Sequence, residues 1–266
     1  MPTISLGDAT YAYDVHGRGE PLLLLHGALV SRAYWQREVA IFSKYYQVIT
    51  CDLRGHGESS RSAGPYSVSQ FTRDVASLIG ALGLGRVVCC GHSLGGMVAQ
   101  ELAASYPDLV RGLVLADTWY DPRGLPWEPF PFRTVALKWM LYSTSVDQMA
   151  NLMARGLGMF NTDIGPYVRA EVGRHIDDRA NYISIWDAAI DFDGTARLYQ
   201  IACPTLIMTA SYFPYTLIQG MEMQRRIRDA SVITIPRAGH WLNWDNPAAF
   251  DQALAGFLRQ GTVRGR

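Results

Sequence analysis

An excess of charge of either sign is missing from this chain. Lys plus Arg and Asp plus Glu each number 24 in 266 residues, so the formal net charge is zero. No basic stripe and no run of one sign occurs, which argues against nucleic acid as a partner and against a charged interaction tail. Long apolar runs are missing too. No stretch approaches the ~18 residues of a membrane span, and Met1 to Asp8 carry neither the basic segment nor the apolar core of a secretion signal. Cysteine is scarce: Cys51, Cys89, Cys90 and Cys203 fall in or beside apolar runs, without the paired spacing of a zinc site. They read as reduced thiols used as small apolar side chains, which fits a cytoplasmic protein. Neither a dinucleotide fingerprint nor a metal-ligand cluster is present, so no cofactor and no metal are expected. Gly17-Arg18-Gly19 reads as a hairpin turn, and the stretch after Leu53 has too few properly spaced glycines for a phosphate loop.

What is present is a large apolar fraction, 48%, against 18% charged residues, enough for a sizeable core in one α/β domain. Apolar runs alternate with amphipathic stretches, the pattern of βαβ units on a mostly parallel sheet. Ile4–Leu6 and Thr10–Asp14 predict an opening hairpin. Further strands are expected at Leu22–Leu25, Tyr46–Thr50, Val87–Cys90, Leu113–Ala116, Thr205–Thr209 and Ser231–Ile235. Helices fit over Val68–Leu82, Gly96–Tyr106, Tyr215–Arg228 and Pro247–Arg259. From residue 119 to residue 197 this rhythm breaks. The segment holds no convincing buried strand and is rich in aromatics: Trp119, Trp127, Phe130, Phe132, Trp139, Tyr142, Phe160, Tyr167, Tyr182 and Trp186. It reads as a helical cap inserted in a core made of 1–118 and 198–266, placed over the strand ends where open α/β sheets bind ligands.

Gly91-His92-Ser93-Leu94-Gly95 carries the chemistry. It is a G-x-S-x-G elbow with an apolar strand before it and a helix after it. A serine on so tight a turn is held in strained backbone geometry with its hydroxyl above the sheet. Ser93 is the expected nucleophile, and it needs a base. Of six histidines, His240 follows the last predicted strand, in Ala238-Gly239-His240-Trp241, at the same sheet edge as the elbow. His26 and His56 sit in turns where a structural imidazole is the default, His92 flanks the nucleophile and is expected to point away from it, and a surface role is expected for His175. Acyl transfer also needs donors for the developing oxyanion. The backbone N–H of Leu94 supplies one, and the N–H of Ala28, after His26-Gly27, the other.

Over nearly its whole length the chain resembles the α/β-hydrolase superfamily. The matching pieces are Leu25-His26-Gly27, Asp52-Leu53-Arg54-Gly55-His56-Gly57-Glu58-Ser59, the elbow through Gly96, Cys203-Pro204-Thr205-Leu206-Ile207, and Ala238-Gly239-His240. Tyr106-Pro107 through Thr118 looks most like the enol-lactonase and carboxylesterase branch. The resemblance implies a mostly parallel, eight-stranded-type sheet flanked by helices, with the cap between the sixth and seventh strands. It implies the roles given above for Ser93, His240, Ala28 and Leu94, and a loop-tying role for Asp52 and Arg54.

The chain departs from that pattern at the third member of the triad. The family places an acid shortly after Pro-Thr-Leu-Ile, whereas here no carboxylate occurs between Thr205 and Met221, and Tyr212 or Phe213 stands at the expected position. Asp117, at the end of the strand after the nucleophile's, is the replacement expected to meet His240. The competing reading is that Asp117 caps the chain where it enters the lid. Glu222 is a weaker candidate, and Asp121, Asp187, Asp191 and Asp193 default to solvation or helix capping. Trp119, Trp139, Trp186, Tyr212 and Trp241 are expected to line the substrate pocket. Trp244 lines its mouth or packs under the cap. A pocket so lined favours an apolar or aromatic group, although Arg123, Arg133, Arg155 and Arg169 also lie in the cap. The expected activity is hydrolysis of a small-molecule carboxylic ester or lactone. A cofactor-free lyase, cyclase or oxygenase of the same fold, or a binding module, remains the alternative. Composition carries no information on oligomeric state.

Overall fold

Leu22–Leu25 has no polar face, so it must be covered on both sides, and it forms part of β3 (Pro21–Leu25), whose last four residues are buried. The same holds for β5 (Val87–His92), buried along its entire length. In the computed structural model, which describes residues 2–61, 64–122, 132–157, 164–175 and 177–264, these two strands pair in parallel at the centre of an eight-stranded sheet. The other strands are β1 (Thr3–Leu6), β2 (Ala9–His16), β4 (Gln47–Cys51), β6 (Val110–Ala116), β7 (Thr205–Ala210) and β8 (Ala230–Ile235). Their order is β1-β2-β4-β3-β5-β6-β7-β8. β1 and β2 are antiparallel, β2 is antiparallel to β4, and the remaining pairs are parallel.

From β3 the chain steps outward to β4, then returns across β3 to β5 and proceeds outward the other way. The winding direction therefore reverses between β3 and β5. The loops after these two strands leave in opposite directions and open a crevice at their carboxyl ends, the usual place for a ligand in a doubly wound sheet. That reversal puts Gly27-Ala28 and Ser93-Leu94 on facing sides of one cleft.

The topology corrects one sequence expectation. Gly17-Arg18-Gly19 is not a hairpin turn, because β2 pairs with β1 and β4 and never with β3. The turn instead carries the chain past β4, and Gly17 has φ +77°, where a Cβ would collide with the carbonyls of Ser43 and Tyr46. A second difference is the 3-10 turn Arg32–Trp35 that runs into α1 (Gln36–Phe42). No element is evident there in the sequence, because the helix is only seven residues long and lacks a side-chain cap. Helices α2 (Val68–Ala81), α3 (Leu94–Ser105), α9 (Pro214–Arg226), α10 (Leu242–Asp245) and α11 (Pro247–Arg264) complete the part of the chain outside the insert. α2 is capped by Ser67, whose side chain accepts from Gln70 N–H.

Between β6 and β7 the described residues form α4 (Phe132–Ser143), α5 (Val146–Leu152), α6 (Ile164–Gly173), α7 (Arg179–Ile190) and α8 (Thr195–Leu198). Arg123, Trp127, Phe130 and Phe160, which the sequence assigns to the cap, lie outside the described residues, as do the side chains of Phe132 and Arg133. A polar joint fixes α7 to the loop after β4. Asn181 Nδ2 donates to Gly55 O at 2.8 Å and to His175 Nδ1 at 2.9 Å, while its Oδ1 accepts from the Tyr66 hydroxyl at 2.7 Å. His175 is therefore a buried structural residue, not a surface one. Among the described residues no helix is long and apolar enough to cross a membrane.

Candidate active site

The elbow is built as the strand-turn-helix context predicts. β5 ends at His92, Ser93 turns with φ +51° and ψ −118°, and α3 begins at Leu94. A non-glycine residue in that region costs on the order of 1–3 kcal/mol. The turn is held by Ser93 N–H to Ala116 O at 3.1 Å and by the Thr118 hydroxyl to Ser93 O at 2.7 Å. Two glycines make the close approach possible. A Cβ at Gly95 would run into the carbonyls of Leu25 and His26. One at Gly27 would lie 2.9 Å from His92 Nδ1 and 3.2 Å from Ser93 Cβ.

His240 follows β8 on the loop Arg237–Trp241. Tyr212 N–H donates to Ala238 O at 3.1 Å, and Gly239 N–H to Asp245 Oδ2 at 2.8 Å. The His240 ring donates from Nδ1 to Asp117 Oδ2 at 2.7 Å. Asp117 is fully buried just past β6, with its N–H bonded to Met208 O at 2.9 Å and its second oxygen, Oδ1, accepting from Ala210 N–H at 3.1 Å. One carboxylate thus holds both the imidazole and the loop where the family's acid would stand. With Nδ1 carrying its proton, His240 Nε2 is left as the acceptor. Glu222 is elsewhere, paired with Arg225 and Arg226 on α9.

Ser93 and His240 line one chamber of about 310 Å³, together with Gly27, Ala28, His92, Trp119, Pro122, Met153, Trp186, Phe213, Tyr215, Thr216 and Trp241. No Lys, Arg, Asp or Glu is among these lining residues. The N–H groups of Ala28 and Leu94 are engaged by no partner among the described residues. The Ser93 hydroxyl likewise makes no hydrogen bond there. A histidine and a serine that share a site often close to hydrogen-bond distance only around a ligand.

Two expected pocket residues are not in the chamber. Trp139 is 72% exposed, because α4 turns Val135 and Trp139 outward and buries Leu141 instead. Tyr212 is 50% exposed, and the next residue, Phe213, turns inward at the start of α9, its ring 6.4 Å from that of His240. Trp119, Trp186 and Trp241 do line the chamber. Trp244 packs under the insert, stacked on Tyr167 at 5.8 Å. The sequence marks Phe213 only as a residue standing where a carboxylate is missing, and Tyr215 only as the start of a helix.

His26 and His56 are structural. His26 donates from Nδ1 to Gly27 O and accepts Leu53 N–H at Nε2, 3.0 Å away. Burial lowers its pKa to about 4 and that of His56 to about 3. Asp52 and Arg54 tie loops together, Asp52 to Arg32 and Arg54 to Asp8 and Asp74. Burial raises the Asp245 carboxyl to about 6 despite the Gly239 N–H it accepts. Among the described residues no group of three or more His, Cys, Asp or Glu is placed to hold a metal.

The alpha/beta hydrolase family pattern matches residues 22–253. This chain belongs to that family. A protein of Azorhizobium caulinodans whose name gives it as a candidate carbamate hydrolase, RutD, is 28% identical over 97% of this chain and 98% of its own. The (E)-2-((N-methylformamido)methylene)succinate hydrolase of Acinetobacter baylyi is 25% identical over 94% of each chain. Among solved structures, the enol-lactonase from Burkholderia xenovorans superposes with a TM-score of 0.84 at 25% identity, covering 97% of this chain and 100% of its own. The likeness thus runs through this member's whole sheet and its insert, and the relatives' names are those of hydrolases.

Proposed function

We propose that this alpha/beta hydrolase cleaves a carboxylic ester or lactone through an acyl-enzyme on Ser93. The observation that carries the reading is the 2.7 Å contact between His240 Nδ1 and Asp117 Oδ2 beside a strained serine that shares its chamber. Asp117 holds the ring in the Nδ1–H form and stabilises the imidazolium that forms when Nε2 takes the Ser93 proton. Ser93 Oγ attacks the carbonyl, and the oxyanion is met by the N–H groups of Ala28 and Leu94. His240 then protonates the leaving alkoxide. Water, deprotonated by the same imidazole, releases the acid and restores Ser93. No step calls on a cofactor or a metal.

The chamber's aromatic walls, and the lack of Lys, Arg, Asp and Glu among its described lining residues, support a neutral small-molecule substrate with an apolar or aromatic acyl or alcohol group. Four buried, free thiols suit a cytoplasmic setting. Carbamate cleavage by the same machinery is the second reading, favoured by the name of the Azorhizobium relative. A panel of p-nitrophenyl acyl esters, aryl lactones, a p-nitrophenyl carbamate and a dicarboxylate half-ester tests both. Turnover of neutral aryl esters or lactones, abolished in Ser93→Ala, is the expected result. Turnover of the carbamate alone moves the assignment to the second reading, and turnover unaffected by Ser93→Ala defeats both.

A further inference from the structure

His92 precedes the nucleophile, yet its side chain takes no part in the steps above. Its ring is buried. It stacks on Tyr34 at 4.8 Å and packs against Trp241 at 5.4 Å and His240 at 4.6 Å. From Nε2 it reaches the backbone carbonyl of His240 at 2.8 Å. A carbonyl only accepts, so Nε2 carries the proton and Nδ1 is the bare nitrogen. Nδ1 is buried against Gly27 and has no hydrogen-bond partner among the described residues. An orphaned buried acceptor is costly, and a phenyl ring would fill the same space without it. Packing alone therefore does not account for an imidazole here.

We propose that His92 is a positioning residue: its Nε2–H anchors the His240 carbonyl and so sets the distance between the base loop and Ser93. The inference rests on the roles proposed for Ser93 and His240. Its logic is that the anchor and the nucleophile are adjacent residues at the end of β5. Movement of the elbow is passed directly to the backbone of the base loop through this hydrogen bond. The other ties on that loop hold different atoms: Asp117 the imidazole, Asp245 the Gly239 N–H, and Tyr212 and Ser211 the backbone of Ala238. Without the His92 donor the His240 carbonyl would lose the partner that the structure gives it. Tyr34, which covers the His92 ring, is itself fixed through its hydroxyl to Asn243, and Asn243 to Glu38 at 3.0 Å. Burial and the neighbouring His240 hold His92 well below the usual histidine range, so it keeps this neutral donor form while His240 takes up a proton.

Gln and Met have the same length and shape, but only the Gln amide can donate where Nε2 does. His92→Gln and His92→Met therefore separate the hydrogen bond from the packing. In p-nitrophenyl ester hydrolysis, His92→Gln is expected to keep kcat within about threefold, and His92→Met to lose up to ~10²-fold in kcat with KM nearly unchanged, the scale of a misplaced catalytic group. A second readout needs no turnover: the proton on His240 Nδ1, shielded by Asp117, gives an NMR resonance that persists in wild type and His92→Gln and is lost to exchange in His92→Met. If His92→Met does not fold, His92→Asn, whose amide is too short to reach the carbonyl, takes its place with the same expectation. Equal kcat and equal resonances in the donor and non-donor variants would overturn the positioning role. A wild type that shows the resonance pattern but cleaves none of the esters would instead defeat the ester reading and leave the anchor standing.

Discussion

Asp117→Asn is the most demanding perturbation, because the two partners of Asp117 dictate how the new amide must sit. Oδ1 accepts from Ala210 N–H at 3.1 Å and Oδ2 from His240 Nδ1–H at 2.7 Å. An amide has one acceptor end and one donor end. Turning its NH₂ toward Ala210 would set donor against donor in a buried site, at a cost of about 1–3 kcal/mol. The amide oxygen therefore stays on Ala210, and the NH₂ faces His240. That arrangement favours the imidazole tautomer with its proton on Nε2, where it has no lone pair for the Ser93 proton. The imidazolium also loses its carboxylate. Together these should lower kcat by up to ~10⁴, or about 5.4 kcal/mol of barrier, with little change in thermal stability because Ala210 keeps its acceptor. Steady-state hydrolysis of a p-nitrophenyl ester, read beside the melting temperature, makes the comparison. Asp117→Ala should lose activity and also stability, since Ala210 N–H is then left unpaired. A folded Asp117→Asn variant within about tenfold of wild-type kcat would refute the reasoning.

Other consequences follow from the same geometry. His240→Ala should cost roughly three orders of magnitude in kcat, measured on the same ester, whereas Glu222→Gln, at a carboxylate paired with Arg225 and Arg226, should be silent. Gly27→Ala places a methyl 2.9 Å from His92 Nδ1 and 3.2 Å from Ser93 Cβ; it should destabilise by about 1–3 kcal/mol in denaturant unfolding and slow turnover. Phe213→Ala removes a chamber wall and should raise KM for aryl esters more than for acetyl esters; equal effects would place the aryl group elsewhere. Glu38, buried with its pKa raised from 4.5 to about 8, binds its proton more tightly in the folded state. Its contribution is complete below pH 4.5 and is lost as pH rises to about 8. Relative to Glu38→Gln, the wild type should therefore lose roughly 1.4 kcal/mol per pH unit across that window, as followed by urea unfolding.

The elbow is legible in the sequence because everything it needs is local: a buried strand, five residues and a helix start. The place of His240 is legible for a related reason, since parallel strands deliver their following loops to one edge. The closeness of Asp117 to His240 was reached from an absence, the missing carboxylate after β7, together with the pairing of adjacent strand ends. The rest depended on contacts between distant segments. His175 sits in a polar stretch and reads as exposed, but Asn181 and Gly55, 126 residues apart, enclose it. Tyr212 and Phe213 are neighbours of similar character, and only the turn into α9 decides which ring faces the chamber. The outward face of α4 hides nothing in its composition, so Trp139 could not be told from a lining residue. Strand order between β2 and β3 is likewise a property of the whole sheet, which a glycine-rich turn does not report.

The central claim is that Ser93 is activated by His240, and covalent labelling tests it most directly. The protein is incubated with a serine-directed fluorophosphonate, and the adduct is located by peptide mass spectrometry. The account predicts one adduct, on Ser93, forming rapidly in wild type, absent in Ser93→Ala and strongly slowed in His240→Ala and Asp117→Asn. A folded wild type that stays unlabelled, or that carries the adduct on another residue, would contradict it.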